Sequence, residues 1–202
     1  TDDKDYLERS EIFADWYLKH AVDHEQKWTK GTVNFDPTKN DKYSLKFFQA
    51  GGAPFFWHLY QITGKKRYLT SGVKMLSDGL IKRFIDEETG AMLSPTADKH
   101  HNITSGGKNI AINDDGASIA LTCAYAAFGS TRMNYLETAI KYADWLIDEC
   151  PRPIALWAAP GMHAITLVEV AELTGKKRYR DAAAAIMAQH VKNQIEAPDK
   201  LD

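Results

Sequence analysis

Asn113-Asp114-Asp115-Gly116 sets two carboxyls side by side, directly ahead of an apolar segment. A carboxyl serves as a general acid near neutral pH only when its pKa is raised, and burial or an adjacent like charge raises it. Capping a helix start would occupy one of the two aspartates, because Asp accepts hydrogen bonds from first-turn N–H groups. The second is then spare. Asp114 and Asp115 are therefore candidate catalytic residues, and Asn113 a candidate contact. His163 lies just inside a later apolar segment, and histidine is the residue type whose unperturbed pKa is nearest neutrality; it is a third catalytic candidate, with a hydrogen-bonded core histidine as the competing reading. Trp157 precedes the same segment. Its indole could stack on the C–H face of a sugar ring or simply pack a loop. His100-His101-Asn102 could supply a base and a neutraliser for a substrate carboxylate, the two parts an elimination from a uronic acid needs. The competing reading is a solvated loop. Gln49, ahead of Gly51-Gly52, opens a further apolar segment and is a candidate substrate contact. No spacing suggests a metal site, a phosphate loop or a nucleophile elbow, so neither metal nor cofactor is expected.

The elements that would carry these residues are helices in a repeat. Thr63-Gly64-Lys65-Lys66-Arg67-Tyr68 recurs unchanged as Thr174-Gly175-Lys176-Lys177-Arg178-Tyr179, and more loosely as Gly129 to Tyr135. Gly ends helices because it adopts the left-handed conformation without steric cost, and basic residues suit helix C-termini. Thr1 and Tyr6 keep the same spacing at the start of the chain. Each connector joins an apolar segment (50–63, 114–128, 160–173) to an amphipathic one (66–85, 132–149, 177–195). An all-apolar helix is buried on every side and an amphipathic one on a single stripe. The spacing predicts an inner and an outer helical layer. Residues 6–21 read as an outer helix with Tyr6, Phe13, Tyr17 and His20 on one face. They have a twin: Tyr6-Leu7-Glu8 and Ala14-Asp15-Trp16 match Tyr135-Leu136-Glu137 and Ala143-Asp144-Trp145. On that reading the chain opens midway through a hairpin, and the expectation is either the remainder of a longer chain or self-association.

The turns from inner to outer segments are short. Two of the returns, 22–47 and 86–113, exceed twenty residues, with short strands expected near 91–93 and 109–112. Long loops in a compact domain commonly carry function. All of them precede inner segments, so they should gather on one face.

Composition sets the outer bounds. The chain has 202 residues and a formal net charge of −2, and no apolar run approaches the ~20 residues of a bilayer span. Neither nucleic acid nor membrane is an expected partner. Two cysteines, Cys123 and Cys150, are too few for a disulfide framework. The compartment is open: cytoplasmic, or periplasmic or secreted if a signal peptide has been removed.

Short turns at one end of two helical layers and long loops at the other resemble the (α/α) toroids of carbohydrate-active enzymes. That group includes six-hairpin glycosidases such as the unsaturated uronyl hydrolases, and the toroidal polysaccharide lyases. The resemblance implies an all-α partial toroid over residues 1–202 with a glycan funnel at the N-termini of the inner helices. It also implies acid/base aspartates in that funnel, acting on an oligosaccharide or polysaccharide, with uronic acids favoured because several helix N-termini attract an anion. Three alternatives stay open: hydrolysis by Asp, elimination by His, and a non-catalytic helical-repeat binding module. Solenoid modules have regular repeats, whereas here the connector tyrosines are separated by 62, 67 and 44 residues.

Overall fold

The computed structural model describes residues 3–25, 28–29, 46–93, 96–97, 103–105, 117–130, 134–150 and 160–196. They form seven α-helices: α1 (Asp3–His20), α2 (Lys46–Thr63), α3 (Met75–Phe84), α4 (Ala117–Phe128), α5 (Tyr135–Asp148), α6 (Pro160–Thr174) and α7 (Lys177–Glu196). A π-helical turn, Tyr68–Lys74, leads into α3. Two small antiparallel ribbons pair β1 (Val22–Asp23) with β2 (Trp28–Thr29), and β3 (Thr96–Ala97) with β4 (Ile103–Ser105). The all-α expectation holds for the described residues.

The three Gly turns are one structure used three times. Gly64, Gly129 and Gly175 have φ of 67°, 65° and 69°. Their N–H groups donate to the carbonyls of Tyr60, Tyr125 and Ala171 at 2.7, 2.7 and 2.8 Å. Before two of them, the hydroxyls of Thr63 and Thr174 donate to Leu59 and Val170, both at 2.6 Å. The hydroxyls then accept from the N–H of Lys65 and Lys176. Orphan carbonyls of a last helical turn are satisfied in this way.

Counted back from those glycines, the inner helices share a buried register. Ala53, Ser118 and Ala164 form one step, Phe56, Leu121 and Leu167 the next, and Leu59, Ala124 and Val170 a third. All nine are buried. α2 packs on α4, and α4 on α6. The amphipathic helices lie outside them: α3 touches α2 and α4, α5 touches α4 and α6, and α7 packs on α6. The stripe Val73, Leu76, Leu80 and Phe84 is fully buried. α2 and the π-helical turn approach closely because Gly72 has no side chain; a Cβ there would lie 2.4 Å from Phe56.

Several sequence expectations shift. α2 starts at Lys46, so Pro54 lies inside the helix rather than in its first turn. Phe47 and Phe48 extend the apolar run backwards, and the helix continues past a residue that cannot donate to the carbonyl of Ala50. The ribbon strands of the second long segment are Thr96–Ala97 and Ile103–Ser105, while near 91–93 there is only an isolated bridge, Ile85 to Met92; residues 109–112 lie outside the described residues. Of the α5 stripe expected from the sequence (Leu136, Ile140, Ala143 and Leu146 or Ile147), Ala143 and Leu146 are buried, while Tyr135, Ala139, Tyr142 and Trp145 complete the buried face in place of the half-buried Leu136 and Ile140. In α1 it is Ala14, Tyr17 and Leu18 that are buried, whereas Tyr6 and Phe13 are 64% and 51% exposed.

Candidate functional site

Most of the candidates fall outside the described residues: Asn113, Asp114 and Asp115, His100 and His101, and Trp157. Gln49 lies in the first turn of α2, with its side chain outside the description. His163 is described. It sits in the first turn of α6 and is 1% exposed. By the shared register His163 occupies the same step as Gly52 of α2 and Ala117, the first residue of α4. One residue deeper, the Ser118 hydroxyl of α4 is buried with no hydrogen-bond partner. Thr166, one turn beyond His163, is also buried. The described starts of α4 and α6 thus carry buried polar side chains, whereas the steps Phe56, Leu121 and Leu167, and Leu59, Ala124 and Val170, are apolar.

The structure also assembles polar groups that the sequence reading did not single out. Behind each connector, a buried tyrosine reaches an acid on the preceding outer helix. The Tyr68 hydroxyl donates to Glu11 of α1 at 3.0 Å. Tyr135 donates to Asp78 of α3 at 2.5 Å, and Tyr179 to Asp144 of α5 at 2.8 Å. All three rings are 0% exposed. Arginine adds a second grip. Arg67 binds Asp15 through Nε and Nη2, both at 2.9 Å, and Arg178 Nη2 lies 2.8 Å from Asp148. Lys65 binds Glu11 as well. Desolvation, reinforced by the acid that accepts its proton, raises each of the Tyr68 and Tyr179 phenols to about 12. The Lys65 hydrogen bond, followed by that from Tyr68, holds the Glu11 carboxyl below its ordinary range.

These clasps join consecutive outer helices, so their chemistry is structural. Their signal was present in the sequence: Arg-Tyr follows Gly-Lys-Lys twice, and acids spaced four apart lie on the preceding outer helices. The acid pair is Glu11 and Asp15 in α1, and Asp144 and Asp148 in α5. Sequence matching aligns Asp15 with Asp144, so the clasp sits one turn further along α5 than along α1.

A cavity of about 640 Å³ opens between α3 and α5, bordered by Asp78, Lys82, Asp86, Glu87, Glu137 and Lys141. It lies on the outer helices, and Asp78 on its wall is already held by Lys74 and Tyr135. Among the described residues, no group of three or more His, Cys, Asp or Glu side chains is arranged to hold a metal ion. No helix there is long and apolar enough to cross a membrane. Cys123 is half-buried, and burial, with Glu169 nearby, pushes its thiol up to about 12, far from a reactive thiolate.

No family model matches the chain, and neither a curated protein nor a solved structure does.

Proposed function

We propose that the chain is a carbohydrate-active domain of the partial (α/α) toroid kind, degrading an oligosaccharide or polysaccharide that contains uronic acid. The observation that supports this is the shared register of α2, α4 and α6. Three inner helices end in the same Gly turn and bury the same steps. Their opposite ends, each preceded by a longer segment, then form one mouth. On this reading Asp114 and Asp115 enter at the start of α4, and His163 lies one inner helix away at the same step. One aspartate caps α4; the other protonates the leaving glycosidic oxygen and its partner charge keeps its pKa up. Helix N-termini and Asn113 orient the substrate carboxylate, with Trp157 and Gln49 as flanking contacts.

Incubation with acidic oligosaccharides tests the reading. Hydrolysis releases reducing ends without a new double bond. Elimination, with His163, His100 or His101 as base, adds near-ultraviolet absorbance from a C4–C5 double bond. Asp114→Asn and Asp115→Asn keep shape and capping ability. One of them should lower turnover about 10²- to 10⁴-fold, with little change in melting temperature. Full activity in both variants removes the aspartates from the chemistry. Binding of acidic glycans without any turnover indicates a binding module instead.

A further inference from the structure

α1 and α5 carry the same aromatic stripe, but only one of the two is covered. Tyr6, Ser10 and Phe13 of α1 correspond to Tyr135, Ala139 and Tyr142 of α5. In α5 those residues are 0%, 0% and 1% exposed. In α1, Tyr6 is 64% and Phe13 51% exposed. The local geometry is the same in both. Phe13 stacks on Trp16 with ring centroids 6.4 Å apart and 22° between planes, and Tyr142 stacks on Trp145 at 6.0 Å and 16°. The neighbouring stripe is also equivalent, because Ala14 and Tyr17 are buried in α1 as Ala143 and Leu146 are in α5. Tyr17 packs its ring on Phe56 of α2. The difference is therefore confined to one side of α1.

The cover in α5 is identifiable. Its Tyr135 ring meets Phe128 at the end of α4, and α5 packs on both α4 and α6. α1 packs on α2, the counterpart of α6. No described element takes the place that α4 holds beside α5.

We propose that the Tyr6, Ser10 and Phe13 face of α1 is a docking seat for one further apolar α-helix of the α4 kind, carried by a partner polypeptide. Three features define the occupant. It is apolar on all sides, because α4 is. It ends beside Tyr6 in an aromatic, as α4 ends in Phe128 beside Tyr135. It carries small buried residues, as α4 does with Ala120 and Ala124. A second copy of this chain would offer α6, whose Ile165, Val168 and Leu173 are exposed, but α6 ends in Thr174 rather than an aromatic and so lacks the contact that Phe128 supplies to Tyr135. The inference needs no assumption about catalysis.

The test joins a duplicate of residues 117–134 directly ahead of Tyr6, so that an α4 sequence and its Gly turn lead into α1 as they lead into α5. Amide exchange from Tyr6 to Phe13 should slow about tenfold or more relative to the natural chain, and Trp16 emission should shift to shorter wavelength. A matching extension with Asp at the duplicated Leu121, Ala124 and Phe128 positions should do neither. Unchanged exchange, or equal slowing by both extensions, overturns the proposal. A second measurement does not depend on the extension folding. Replacing Tyr6 by Gln should reduce the binding of an apolar fluorescent dye to the natural chain without lowering its melting temperature. Undiminished dye binding, a fall in melting temperature, or self-association of the natural chain that protects Phe13 from exchange also overturns it.

Discussion

α1 and α5 share a sequence pattern from Tyr6 and Tyr135 onward and sit in different environments. Both contain Tyr-Leu-Glu, both carry Ala-Asp-Trp beginning eight residues after that tyrosine, and both stack an aromatic on that tryptophan. Among the described residues, α5 packs on the inner helices α4 and α6, and α1 packs on α2. The pair separates what a helix contributes from what its neighbours contribute. Local pattern sets the ring stacking and the Ala-Leu or Ala-Tyr stripe. Burial of the other stripe depends on a second inner helix.

The largest expected effect follows from that contrast. Tyr135→Ala and Tyr142→Ala each remove a ring that is at most 1% exposed, and each should cost about 3–5 kcal/mol in denaturant unfolding. Tyr6→Ala, at the equivalent exposed position, should stay within about 0.5 kcal/mol. Equal losses at Tyr6 and Tyr135 would break the comparison.

The clasps give the next effect. Tyr68→Phe and Tyr179→Phe keep the ring and delete one hydrogen bond to a carboxylate, worth about 1.5–3 kcal/mol. The loss should be larger at Tyr68, whose hydroxyl donates to Glu11 and also accepts from Arg67 Nη2 at 2.9 Å. The clasps also set an alkaline limb. Each phenol is raised from 10.0 to about 12, so the fold favours the protonated form. Its contribution is complete below pH 10 and is lost as pH rises through about 12. The double Phe variant should lack that part of the alkaline destabilisation.

A smaller effect appears on the acid side and distinguishes α1. The Glu11 carboxyl is lowered from 4.5, so its contribution is present above that value and fades as pH falls below it. Glu11→Gln should flatten the acid limb of the stability curve. Smallest of all is the exposed pair between Lys177 and Asp181 at 2.6 Å on α7. As a solvated i,i+4 pair it is worth about 0.3–0.5 kcal/mol, and Asp181→Asn should be nearly silent at high salt.

Much of this fold is legible in the sequence. The connectors announce themselves because a left-handed helix end selects Gly, and the two exact copies differ by only a few degrees in φ. The inner helices are legible because a helix buried on all sides has no polar face. His100 and His101 lie in a long segment, Asp114 and Asp115 directly follow it, and Trp157 lies in a shorter one; composition alone gives them neither period nor partner. The buried face of α5 was harder to read, since Tyr135, Tyr142 and Trp145 have polar atoms and look less apolar than Leu136 and Ile140. The clasps were missed for a related reason. Arginine and lysine beside a helix end read as solvated charge, and their carboxylate partners lie 30 to 54 residues away. The π-helical turn has no signal except Gly72, whose meaning depends on Phe56 across the packing.

Native-state amide exchange across the whole chain tests the central claim, that one repeat unit is laid down several times and that α1 is its open edge. The slowest amides should lie in α4, flanked by α2 and α6, with α5 close behind. The amides of Tyr6 to Phe13 should exchange far faster than those of Tyr135 to Tyr142 despite the matching sequence. Equal protection of the two stretches, or α4 exchanging faster than α7, would contradict it.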